Sequence, residues 1–123
     1  MTRLPRAVFV LALCALVFVT VAVPSNAHRE SELRISAAKG AQLKYSTSKL
    51  TAKAGVVTIR MANPSIMPHN VAIKGHGVDV KGKVVGHGGT STVTAKLKKG
   101  KYTFYCSVPG HESGGMKGTL TVG

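Results

Sequence analysis

From Arg29 to the end of the chain, apolar and polar residues alternate over short runs separated by Gly, Pro, Asn and Ser. None of these runs has the 3.6-residue period of a surface helix. A period of two puts successive side chains on opposite faces of a strand, so the pattern predicts an all-β sandwich or barrel. Strands are expected over residues 33–37, 42–46, 56–61, 69–74, 90–97, 101–106 and 117–122. In the third, Val57, Ile59 and Met61 share a face opposite Thr58 and Arg60. In the fourth, His69 shares a face with Val71 and Ile73, and in the sixth Cys106 shares one with Tyr102 and Phe104. Asn63-Pro64-Ser65 breaks the pattern, and Lys98 to Lys101 reads as a turn. The glycine- and lysine-rich stretch 75–89 has few residues to bury and reads as a loop with one short edge strand.

With 123 residues the chain has room for one modest domain. Its start is basic, and residues 7–23 form an uncharged apolar run followed by Pro24, Ser25, Asn26 and Ala27. Small residues at Ser25 and Ala27 suit a signal-peptidase site, so 1–27 reads as an export signal and 28–123 as the mature domain. The apolar run falls slightly short of the about 20 residues that span a bilayer. An uncleaved anchor, holding the domain at a membrane through residues 7–23, is the competing expectation. Cys14 lies inside the run after Leu13, which argues against a lipid-modified cysteine.

The chain carries 17 Lys and Arg against 4 Asp and Glu, a net charge of +13, of which Arg3 and Arg6 would leave with the signal. Such a charge steers encounters with an acidic partner or surface. Nucleic acid is a poor partner here, because the lysines are scattered and no aromatic platform is interleaved with them. The domain is expected to be a monomer in the periplasm or cell envelope.

Removal of the signal would leave Cys106 as the single cysteine. No internal disulfide can then form, and an unpaired thiol in an oxidising compartment must be buried or ligated. The residues after it favour ligation. The strand ending at Cys106 leads into Ser-Val-Pro-Gly, then His111; Gly114 and Gly115 permit a second reversal before Met116. His69 heads an earlier strand with the parity of core residues. Singly, a histidine is usually a surface or packing residue and a methionine usually core. Together, a thiolate and two imidazoles with a weak axial thioether form a donor set suited to one copper ion cycling between Cu(I) and Cu(II). His28, at the expected mature N-terminus, has an amine and an imidazole that could take stray copper. His76 and His87, each between glycines, read as exposed loop residues.

On these residues the chain resembles the cupredoxins of the plastocyanin/azurin type. Pro68-His69-Asn70 resembles the plastocyanin segment supplying the first histidine. The Cys106–His111 interval is azurin-like and the His111–Met116 interval plastocyanin-like, a mixture most similar to auracyanin- and halocyanin-like members. The resemblance implies an eight-stranded Greek-key β-sandwich and metal ligands His69, Cys106, His111 and Met116. It implies that Asn70 ties the ligand loops together, and that His111 passes the electron through an apolar patch formed here by Met67, Pro68, Val108, Pro109 and Gly110. It further implies single-electron transport between redox proteins, with a cytochrome or an oxidase as partner. Copper enzymes of this fold need further copper sites; with no spare histidine cluster and Cys106 as the one mature cysteine, the chain is not expected to be an enzyme. An exported copper carrier or copper-homeostasis protein is the alternative. The three methionines of the expected mature domain, Met61, Met67 and Met116, do not form the cluster that would favour it.

Overall fold

The computed structural model describes residues 19–22 and 30–123. Residues 19–22 are exposed and belong to no strand or helix; the rest of the expected signal, its cleavage site and His28 lie outside the described residues. Among the described residues no helix is long and apolar enough to cross a membrane. Eight strands run in order: β1 (Glu30–Ser36), β2 (Lys49–Ala52), β3 (Gly55–Ala62), β4 (Ala72–Gly75), β5 (Val78–Lys81), β6 (Thr90–Leu97), β7 (Gly100–Tyr105) and β8 (Lys117–Val122).

The strands form two mixed sheets, β1-β3-β6 and β2-β8-β7-β4-β5. β1 pairs in parallel with β3, which pairs antiparallel with β6. In the larger sheet β2 runs parallel to β8, and β8, β7, β4 and β5 are successively antiparallel. The inner faces meet in one core containing Ile35, Val57, Ile59, Met61, Val71, Ile73, Val93, Leu97, Tyr102, Phe104, Leu120 and Val122. β6 shows the cause most clearly: its residues alternate exposed and buried along its length, as expected of a strand with one face on the core. Thr58, placed on the outer face of β3 by the alternation, is nevertheless buried and bonds the Thr94 hydroxyl at 2.9 Å.

Three elements differ from the expected ones. Residues 42–46 make no strand; they contribute a single bridge, Ala37 to Tyr45. The β4 ladder begins at Ala72, and His69 instead forms an isolated antiparallel bridge with Val85. β2 was not expected at all, because its alternation is short and only half-buried, and it exists through its pairing with β8. The edge strand expected within 75–89 is β5.

Candidate metal centre

The end of β7 and the start of β8 are joined by the segment carrying Cys106, His111 and Met116. This segment is wound on its own backbone: His111 N–H donates to Val108 O and Gly114 N–H to Gly110 O, each at 3.0 Å. Gly110 (φ 81°) and Gly115 (φ 108°) take left-handed conformations that other residues adopt at a cost. Met116 N–H donates to His111 O at 3.0 Å, and Cys106 N–H to Met116 O at 3.1 Å. The three side chains are thus held at one end of the sandwich by bonds between their own peptide groups.

His69 arrives from the lead into β4, fixed by two bonds to Val85 (3.1 and 2.9 Å). The next residue, Asn70, joins it to the other segment. The Asn70 amide donates to Gly82 O at 2.9 Å and to the Ser107 hydroxyl at 2.8 Å, and its carbonyl accepts the Ser107 N–H at 2.8 Å. The buried Tyr45 hydroxyl donates to Asn70 O at 2.7 Å. Burial, reinforced by the nearby Cys106 charge, raises the Tyr45 pKa, so the phenol stays a donor.

His69, Cys106 and Met116 are fully buried, and His111 is 7% exposed. The His69 and His111 Nδ1 atoms lie 3.1 Å apart, and Cys106 Sγ lies 3.9 Å from the first and 3.6 Å from the second. A point equidistant from all three sits about 2.1 Å from each, close to the bond lengths a first-row metal makes with imidazole and thiolate. Two like nitrogens at this separation face each other across the position that a cation would occupy. Burial, then the neighbouring His111, pushes the His69 pKa down, which keeps its ring neutral and able to donate a lone pair. Among the described residues these three side chains form the one cluster of this kind. A thiolate, two imidazoles and a nearby thioether fit copper better than zinc or a hard cation.

A family profile described as copper binding proteins, plastocyanin/azurin family, matches residues 31–123. The chain belongs to that family. Its His69, Cys106, His111 and Met116 are arranged as a type 1 copper site. As a plastocyanin/azurin family member it superposes on the dithionite-reduced auracyanin of the photosynthetic bacterium Roseiflexus castenholzii with a TM-score of 0.66 at 25% identity, covering 76% of this chain and 97% of that one. Auracyanin A of Chloroflexus aurantiacus, a blue copper protein, gives a TM-score of 0.64 at 24% identity over 76% and 99% of the two chains. An azurin of Methylomonas sp. strain J gives 0.62 at 23% identity over 76% and 98%. No curated protein matches the chain.

Around the site, Pro68, Pro109 and Gly110 are exposed while Met67 and Val108 are half-buried. Ile66, which the alternation did not single out, is 76% exposed on the same loop as Met67. His76 and His87 are exposed and stand outside the cluster. His76 packs on Tyr102 with ring centroids 4.9 Å apart, and His87 Nδ1 lies 3.2 Å from Ser65 O. Ser65 and Asn63 were read only as strand breakers; both are buried and bonded into the site's surroundings. The Asn-Pro-Ser run signals a turn but carries no mark of those contacts.

Proposed function

We propose that this protein is an exported blue-copper carrier that moves single electrons between redox partners. The observation that carries the reading is the buried triangle of Cys106 Sγ and two Nδ1 atoms, framed by hydrogen bonds that depend on no metal. A bound copper ion supplies a one-electron Cu(I)/Cu(II) couple. The chain's residues do the rest. Cys106 offers a thiolate suited to Cu(I), the two imidazoles suit Cu(II), and Met116 offers a soft, weak donor that tunes the potential. The frame of backbone hydrogen bonds and the Asn70 bridge resist rearrangement, which keeps reorganisation small when charge changes.

Of the four side chains only His111 reaches the surface, which favours it as the point a partner approaches. The exposed and half-buried apolar residues of the 66–68 and 108–110 loops suit such a contact. Burial of the ligands also favours a retained ion over one handed on, and so an electron carrier over a copper-delivery protein. In this reading the chain is not an enzyme, works as a monomer in the cell envelope, and meets a redox partner of cytochrome or oxidase type whose docking face is acidic. The excess of Lys and Arg over Asp and Glu, which persists once Arg3 and Arg6 leave with the signal, supports that last point.

Visible and EPR spectra of the Cu(II) protein test the site. Intense red-region absorption and narrow copper hyperfine splitting are expected, both lost on reduction and both lost in Cys106→Ser. A pale spectrum with ordinary splitting would refute it. NMR line broadening in mixtures of reduced and oxidised protein tests transport: rapid self-exchange is expected, and slow exchange would favour copper handling.

A further inference from the structure

Ser65 precedes His69 by four residues in the turn after β3, and its side chain is fully buried. Its hydroxyl oxygen lies 2.6 Å from Gly40 O, 3.0 Å from Met67 N and 3.1 Å from His69 Nε2. A serine hydroxyl has one proton and two lone pairs. A carbonyl only accepts, so the proton goes to Gly40. A backbone N–H only donates, so Met67 takes one lone pair. His69 Nε2 faces the remaining lone pair and must donate to it. A neutral imidazole carries one ring proton, so Nδ1 keeps its lone pair. That Nδ1 is the atom standing 3.1 Å from His111 Nδ1 and 3.9 Å from Cys106 Sγ.

We propose that Ser65 is a positioning residue that fixes His69 in its Nε2–H tautomer and aims the Nδ1 lone pair into the ligand cluster before any metal arrives. The inference rests on the copper reading only for its effect on metal binding. The hydroxyl is itself held in direction. Asn63 Oδ1 accepts the Ser65 N–H at 3.0 Å, and the Asn63 amide donates to Met67 O and Val85 O, each at 2.9 Å. Val85 is the bridge partner of His69, so the turn and the ligand share one frame. With its only proton engaged by Gly40, the hydroxyl cannot rotate to donate to the ring. The constraint is one of proton count as well as shape. A ligand histidine whose far nitrogen donates to an acceptor is also a more basic ligand.

Long-range 1H–15N NMR of the metal-free protein at mildly alkaline pH tests the tautomer directly. A single form is expected, with Nε2 protonated and Nδ1 bare. Ser65→Ala removes the acceptor and should give mixed tautomers, while Ser65→Thr, which keeps the hydroxyl, should restore one. In the copper protein, Ser65→Ala should lose roughly tenfold in Cu(II) affinity. At unchanged Cu(I) affinity that raises the reduction potential by about 59 mV; the threonine variant should stay within roughly threefold of the parent affinity. A proton on Nδ1 in the parent apoprotein would overturn the proposal. So would an alanine variant with unaltered tautomer and affinity. If the alanine variant fails to fold, the parent and threonine measurements still decide. If the tautomer is as expected and no blue spectrum forms, the functional reading falls and the Ser65 assignment stands.

Discussion

Removing the Asn70 side chain tests whether the two ligand segments form one unit. Asn70 is 1% exposed and makes three side-chain bonds: two with Ser107 and one with Gly82. In Asn70→Ala the Ser107 N–H loses its acceptor, at about 1–3 kcal/mol if it stays dry. Each of the two lost donor bonds adds about 0.5–1.5 kcal/mol. Ser107 is only half-buried, so water offsets part of the first loss. The net expectation is about 2–4 kcal/mol. In a domain of this size that is roughly 10–25 °C of melting temperature. Urea denaturation of the apoprotein, followed by far-UV circular dichroism, gives the number without interference from copper. A double-mutant cycle with Ser107→Ala isolates the Asn70–hydroxyl bond, for which a coupling of about 0.5–1.5 kcal/mol is expected. A stability for Asn70→Ala within about 0.5 kcal/mol of the parent would refute the reasoning: the bridge would then be a consequence of the packing and not one of its causes.

Two further perturbations probe the frame. Gly118→Ala would set a Cβ against the Phe104 ring and the Ser48 carbonyl, both inside contact distance. It should cost about 1–3 kcal/mol by overpacking, and a neutral result in thermal melts would show that Phe104 yields easily. The second is pH. The folded His69 titrates below its ordinary value, so its contribution to apoprotein stability is complete above the unfolded value of about 6.5. It is lost as pH falls from there toward the folded value, because the unfolded ring takes a proton that the buried ring refuses. The slope reaches at most about 1.4 kcal/mol per pH unit, and urea midpoints that rise between pH 7 and pH 5 would contradict it.

The strands legible in the sequence are those whose burial is one-sided. β6 and β8 have the predicted bounds because their residues' polarity matches the face they occupy, the buried Ser91 excepted. Residues 42–46 mislead for a physical reason. Leu43 and Tyr45 alternate as a strand would, but Tyr45 turns inward to reach Asn70 O and to pack on Phe104 with centroids 5.5 Å apart. Its burial serves the site, and its backbone makes only one bridge. β2 was illegible because what makes it a strand lies elsewhere in the chain, on β8. The ligands could be read from chemistry alone: an unpaired cysteine, a following histidine and methionine, and a histidine with core parity. Ser65 could not, since its meaning depends on Gly40, Met67 and His69 meeting around one oxygen.

The placement of the site relative to the two sheets bears on why such a small frame can be stiff. Cys106, His111 and Met116 follow from β7 and β8 of the larger sheet. His69 leads into β4 of the same sheet, yet its ring is bonded to Ser65, in the turn that leaves β3 of the smaller sheet. Ser65 in turn donates to Gly40, beyond the end of β1, and forms an isolated parallel bridge with it. The ligand cluster is therefore attached to both sheets, through backbone hydrogen bonds and chain continuity on one side and through the serine hydroxyl on the other. Shifting His69 toward a different metal geometry would disturb the Gly40–Ser65 contact and the Val85 bridge together. Buried polar contacts of this kind are costly to leave unpaired. A site attached in this way resists change because both sheets would have to move with it, the property that the proposed single-electron carrier requires.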